Sequence, residues 1–400
     1  MLWDVILRSI GKGSAGILVG IFLGFPAARA VTFEIDDPPE FSKIIDTNAV
    51  LTTNANINTW LEGPTWIPSG GYLVFCDQNN NRLKKLVPPA TVTDFLVPPA
   101  NTLFNGTLLD GQERLITAEA GSAGLKISMI TNGVVTPLVT TCNGLKFYSP
   151  NDVAVKSDGT IWFTDPNYNS GISKGSNGFA AGYYVYQFHP TNGNATCRAV
   201  ITNGIIRPNG LCFSPDETKL YVADSDTGAT GHRIYVYSVS ASNTLTGGAT
   251  FAIISNGIPD GIKCDADGRV WSSAGDGAYI FAATNGHLIG KIKFQRVVNL
   301  CWGGPQYQTL YMVGQPLVTS LPVLVPGTPA LKKLQMTFEG GQLILSWPAP
   351  STGWALQETE QLTPTNSWTN SPLAAITTNN QKTVTVVATN TAKFFRLKLN

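Results

Sequence analysis

The sequence predicts an all-β fold: a six-bladed β-propeller over residues 31–320, a Pro-rich linker at 321–332 and a small antiparallel β-sandwich-like module at 333–400. Three observations predict it. Charged residues make up only 13% of the 400, against about a quarter in average globular chains, while Gly is abundant at 40, a mixture that suits short strands and turns. From about residue 40 to 320, period-2 and short apolar runs alternate with Gly, Asn, Asp and Pro, and no stretch sustains a 3.6-residue period. Finally, one phrase recurs ahead of these runs.

The phrase places an oxygen-bearing side chain beside a turn-forming residue. Its strong copies are Glu62-Gly63-Pro64-Thr65-Trp66, Pro150-Asn151-Asp152-Val153, Pro208-Asn209-Gly210-Leu211 and Pro259-Asp260-Gly261-Ile262. Weaker copies are Asn105-Gly106-Thr107-Leu108 and Val298-Asn299-Leu300-Cys301. After each comes a strand, a tight turn and a second strand; Asp158-Gly159 and Asp267-Gly268 read as hairpin turns. The spacing of roughly 40 to 60 residues is that of four-stranded propeller blades. An array of β-sandwiches would not explain why one phrase opens every unit.

Ahead of the repeats, Arg8 and Lys12 precede the apolar run Ala15 to Phe25, and Ala28-Arg29-Ala30 ends it in small residues. Residues 1–30 thus read as a secretory signal cleaved after Ala30, which implies export to the periplasm or beyond the cell. No later segment is long and apolar enough to span a bilayer. Behind the repeats, Leu321-Pro322-Val323-Leu324-Val325-Pro326-Gly327-Thr328-Pro329 reads as linker. The alternating strands after it resemble short β modules appended to exported bacterial proteins. They carry no constellation for chemistry, so attachment to the cell surface or another protein is the expected role.

A formal net charge of +1 with no basic block gives no electrostatic support for nucleic-acid or anionic-membrane binding. Cys76, Cys212, Cys264 and Cys301 sit in apolar strand-like runs, as buried thiols do; Cys142 and Cys197 stand in polar, loop-like surroundings. The pairing stays open. His189, His232 and His287 lie outside the repeated phrases, which argues against a Ser-His-Asp hydrolase. Asp77, Asp165 and Asp224 end second strands and read as caps.

In a propeller the innermost strands line a central channel, and equivalent positions form a ring. Glu62, Asn151, Asn209 and Asp260 are expected to share that ring. Two carboxylates and two amide oxygens suit a hard divalent cation: Ca²⁺ first, with Mg²⁺ or Mn²⁺ also fitting. Zn²⁺ is admitted, although it usually takes at least one His or Cys.

Those phrases, with Ser149 to Pro166, Leu220 to Asp224 and Val298 to Gly304, resemble the SMP-30/gluconolactonase/luciferin-regenerating-enzyme-like family, closest to its bacterial gluconolactonase-like branch. The resemblance runs from about residue 40 to 320 and stops before the C-terminal module. It implies a propeller with one divalent cation, and hydrolysis of sugar lactones or, in some relatives, of other esters or organophosphates. By motif it makes Glu62, Asn209 and Asp260 metal ligands, Asn151 a ligand of metal or substrate, and Asp260 also the general base. Glu119 falls where relatives carry a substrate-facing Glu. The His and Arg that commonly follow are replaced here by Ala120-Gly121-Ser122-Ala123-Gly124. Asn105, Lys146 and Tyr168 complete the candidate substrate contacts; for Lys146 and Tyr168 an ordinary surface position is the competing expectation. The alternative to a lactonase is a non-catalytic propeller that binds a carbohydrate or protein around a structural metal.

Overall fold

Turn residues decide where this chain reverses. In the computed structural model, which describes residues 27–29, 31–168, 172–229, 231–328, 334–348, 354–361, 367–378, 381–387 and 392–399, Gly159 and Gly268 take φ of +86° and +85°. Both follow an Asp and join consecutive strands, as hairpin glycines do. The intervening repeat uses Glu217 at φ +57°. Its carboxylate accepts the N–H and hydroxyl of Ser157 at 2.5 and 2.7 Å, which ties that turn to the neighbouring repeat. Apart from Ala27–Arg29, the expected secretory signal lies outside the described residues.

The fold is all-β, and six antiparallel sheets make up its larger part. Their first strands are Leu61–Ile67, Phe104–Leu109, Val153–Val155, Pro208–Phe213, Ile262–Cys264 and Asn299–Gly303. Each of the first four sheets is a meander of four consecutive strands. The fifth gains Thr32–Ile35 beside Leu288–Lys293. The sixth takes Leu51–Asn56, which pairs with Leu317–Pro322, so the two ends of this region share one sheet. Ala27–Arg29 adds to that sheet's outer edge. First strands touch in chain order, and Asn299–Gly303 returns to touch Leu61–Ile67.

Apolar side chains fill the spaces between neighbouring sheets. Trp162 and Val185 of the third sheet pack with Leu211, Leu220 and Val222 of the fourth. Trp162 meets Phe213 edge-on at 5.4 Å between ring centres. At the other end of the chain, Gln335–Glu339, Gln342–Pro348, Gln381–Val386 and Ile376–Thr378 form one sheet, and Thr369–Asn370, Trp354–Thr359 and Phe394–Leu399 another. A cluster of Leu345, Trp347, Val384 and Leu356 draws on both sheets.

The segment expected to begin a linker belongs in part to the larger unit. Leu321 and Pro322 complete a strand. Val323 and Val325 are buried, Gly327 N–H donates to Tyr307 O, and Thr328 N–H donates to Cys264 O. Its prolines suppressed a strand reading, whereas Leu321, Val323 and Val325 alternate toward the core as an edge segment does.

The repeated phrase has a second physical meaning. Its glycines were expected to make turns, yet Gly106 and Gly210 lie inside strands and only Gly63 has positive φ, +49°. They are required by close approach. A Cβ on Gly210 would stand 2.1 Å from Asp260 O, and one on Gly63 2.1 Å from Asn105 O. Adjacent first strands are bonded at this place: Gly106 N–H donates to Asn151 O at 2.7 Å, Gly210 N–H to Asp260 O at 3.1 Å, and Gly261 N–H to Val298 O at 2.8 Å.

Cys142 and Cys197 form a disulfide with a sequence separation of 55, while Cys76, Cys212, Cys264 and Cys301 are buried free thiols.

Two stability measurements follow. Gly210→Ala should destabilise by ~1–3 kcal/mol through overpacking, whereas Gly111→Ala, whose Cβ meets nothing within 4 Å, should be neutral or slightly stabilising; equal denaturation midpoints would contradict the close-approach account. Replacing Cys142 and Cys197 by Ser should cost up to about 4 kcal/mol by loop entropy, read from urea titrations of oxidised wild type and variant.

Candidate functional site

Six strands that begin beside one another bring their opening residues to one place. Glu62, Asn105, Asn151, Asn209 and Asp260 line a single cavity of about 330 Å³. All five are buried. Asn299, from the sixth phrase, stands beside them and donates through Nδ2 to Glu62 Oε2 at 3.2 Å, while its own Oδ1 accepts Leu300 N–H. It orients Glu62 from outside the cavity lining.

The approach to two ring residues, Asn151 and Asn209, is held by an acidic cap. Asp165 accepts the N–H groups of Tyr148 and Ser149, just ahead of Asn151, at 2.8–3.0 Å. Asp224 accepts those of Ile206 and Arg207, just ahead of Asn209, at 3.0 and 2.9 Å. These two caps fix the entry of the first strands of the third and fourth sheets; Asp77, also expected as a cap, accepts instead from Asn80. Burial pushes the Asp165 carboxyl up to about 7 against the Tyr148 and Ser149 donors.

The ring is electrostatically unfavourable as it stands. Burial raises Glu62 well above the usual carboxylate range, and the charges of Asp260 and Asp152 add to that rise. Burial likewise pushes Asp260 up to about 7, opposed by Arg296 and by a hydrogen bond from Asn209. Asp152 is relieved by Lys263, whose Nζ lies 3.2 Å from Oδ2. Among the described residues Glu62 and Asp260 have no cation within 4 Å, and Arg296 acts on Asp260 only from farther away. Asn209 turns its Nδ2 toward Tyr168 Oη at 3.0 Å, and Asn105 Oδ1 is buried with no hydrogen-bond partner.

These features fit a hard cation. Two buried, mutually repelling carboxyl groups, an orphaned amide oxygen and further amides provide an all-oxygen set. Among the described residues no three His, Cys, Asp or Glu side chains gather as a metal group, so a cation held here would need the amide oxygens as well as the two carboxylates.

The remaining candidates separate. Tyr168 lines the cavity. Glu119 does not: it is buried, accepts a hydrogen bond from Ser128 Oγ and pairs with Lys126 at 3.0 Å. Its neighbour Ala120 lines the cavity, and alternate residues of an extended chain face opposite ways, so Glu119 faces away. Lys146 is exposed, with Nζ 5.6 Å from the centre of the Phe179 ring, and is outside the cavity lining.

Sequence reasoning missed Trp60, Arg296 and the Asp152–Lys263 pair. Trp60 and Arg296 line the cavity. Each lies two or three residues ahead of a repeated phrase, and that offset was the available signal. A second cavity, lined by Trp66, Cys212, Lys263, Cys301 and Trp302, lacks the converging oxygen ligands.

Comparison with known proteins accords with this geometry. The SMP-30/Gluconolactonase/LRE-like region matches residues 60–315. A gluconolactonase from Zymomonas mobilis is 32% identical over 298 residues, 68% of this chain and 81% of that protein. A solved gluconolactonase from Xanthomonas campestris superposes with a TM-score of 0.65 at 30% identity, covering 74% of this chain and 97% of the other. Regucalcin from Agrobacterium tumefaciens, at 18% identity and a TM-score of 0.54, shares the fold over 68% of this chain and 93% of its own. With the family match spanning more than half its length, the chain belongs to the SMP-30/gluconolactonase/LRE-like family.

Proposed function

We propose that this protein is an exported, metal-dependent hydrolase that opens a sugar lactone, and that its six sheets are the blades of a propeller whose axis carries the cavity. The observation that carries this reading is the convergence of Glu62, Asn105, Asn151, Asn209 and Asp260 on one cavity in a family that includes gluconolactonases. The ring of touching first strands supports the propeller.

Glu62, Asn209 and Asp260 would hold a divalent cation, Ca²⁺ in the first instance, with Asn151 serving it or the substrate. When bound, such a cation supplies charge that polarises a lactone carbonyl or acidifies a water. The Asp260 carboxylate takes a proton from the attacking water. The water oxygen bonds to the carbonyl carbon, the ring C–O bond breaks, and the departing oxygen receives a proton, giving a hydroxy acid. Asn299 holds Glu62, and Tyr168 holds Asn209, so the chain fixes two ring members before substrate arrives. Half-buried Trp60 supplies an apolar wall for the sugar ring.

The Cys142–Cys197 disulfide supports export, because such bonds persist in oxidising compartments. The C-terminal module contributes no described residue to the cavity, and attachment is its assigned role.

Three experiments test these readings. Asp260→Asn should lower kcat/KM on an aldonolactone by roughly 10²–10⁴-fold; near-wild-type turnover would exclude the assigned base. Chelation should abolish turnover and lower Tm, and Ca²⁺ at 100 times its Kd should restore about 2.7 kcal/mol of stability, an increment that Glu62→Gln should reduce. N-terminal sequencing of the exported protein should begin at Val31, and a product still carrying Met1 would rule out cleavage.

A further inference from the structure

The residues just ahead of the ring form a second layer in the cavity wall. Trp60, Leu103, Ser149 and Ile258, each two residues before a ring member and just ahead of a first strand, all line the cavity. Arg207 occupies that position ahead of Asn209, and Arg296 lies three residues ahead of Asn299. The Arg296 guanidinium lines the cavity, 4.7 Å from the centre of the Trp60 ring. The Arg207 guanidinium lies 5.5 Å from the centre of the Tyr168 ring, itself part of the wall.

Among the described residues Arg198, Arg207, Arg233, Arg296 and Arg396 have no carboxylate within 4 Å, unlike Arg82, Arg114 and Arg269, and of these five Arg296 lines the cavity. An aromatic face positions a guanidinium while leaving its N–H fork available. The cavity is therefore polarised. Glu62 and Asp260 are buried members of its lining, Arg296 is an exposed one, and half-buried Arg207 stands against Tyr168 outside the lining.

We propose that the substrate is a lactone bearing a free carboxylate, read by Arg296 and Arg207; this rests on the lactonase reading above. A planar guanidinium binds carboxylate with two parallel hydrogen bonds. With Glu62, Asn209 and Asp260 assigned to the lactone carbonyl, the carboxylate is left to Arg296, the exposed cation of the lining. These arginines enter from the fourth and sixth repeats.

The test compares two lactones of the same ring and stereochemistry, one with an exocyclic carboxylate and one with a hydroxymethyl group, alongside calorimetric binding of their ring-opened products. Wild type should favour the carboxylate-bearing lactone, chiefly through KM, and bind the dicarboxylate more tightly than the monocarboxylate. Arg296→Met and Arg207→Met should each reduce that preference by roughly 10- to 100-fold, with Arg296→Lys recovering part of it. Preference for the neutral lactone, or equal binding of the two products, would overturn this inference and leave the lactonase reading standing. Selective, arginine-dependent dicarboxylate binding with no turnover of either lactone would support the anion site and remove the lactonase reading.

Discussion

Hydrogen bonding between adjacent first strands, made where a side chain is missing, is the constraint on which this structure depends. Gly106 reaches Asn151 O and Gly210 reaches Asp260 O because neither glycine interposes a Cβ. The accepting carbonyls belong to ring residues. The same backbone that carries a candidate ligand is thus fixed by the preceding repeat, and the site inherits its positioning from the contact that joins neighbouring sheets. Third and sixth phrases depart from the pattern, with Asp152 and Leu300 in the glycine position. Asp152 instead offers a carboxylate to Lys263 from the fifth sheet, which links sheets through an ion pair.

That ion pair separates two kinds of buried charge. Asp152 is compensated within the protein, and a paired buried carboxylate is tolerable. The charge of Asp260 adds to the burial that raises Glu62, and Asp260 itself is relieved only by the charge of Arg296 and the amide of Asn209. Folding accepts this arrangement because Asn299, Tyr168 and the strand backbone hold the pieces in place whether or not the charge is balanced.

The all-β character was legible in the sequence because period-2 alternation and Asp-Gly turns are local signals. The repeated phrase announced which side chains would meet, since Glu62, Asn105, Asn151, Asn209 and Asp260 all face one cavity. Directions decided by a single residue of register were harder to read. Glu119 and Ala120 exchange inward and outward roles if a strand shifts by one, and the structure turns Ala120 inward. Trp60 and Arg296 were missed because each touches the other across chain ends that the sequence keeps far apart. The same distance concealed Leu51–Asn56 as partner of Leu317–Pro322. The glycines were located correctly but given the wrong cause: turn formation and close approach both select glycine, and only spatial neighbours distinguish them.

The sixth sheet has a temporal consequence. Its strand Leu51–Asn56 waits for Leu317–Pro322, so the earliest part of the larger unit has no hydrogen-bonding neighbour on that edge until nearly the whole unit has been synthesised. Pairings of such sequence separation form slowly, since loop entropy is lost before contacts reward it. A nascent chain therefore remains open through most of its synthesis. For a protein proposed to cross a membrane before folding, late closure keeps the chain threadable, and the final strand acts as the latch that commits it to its folded form.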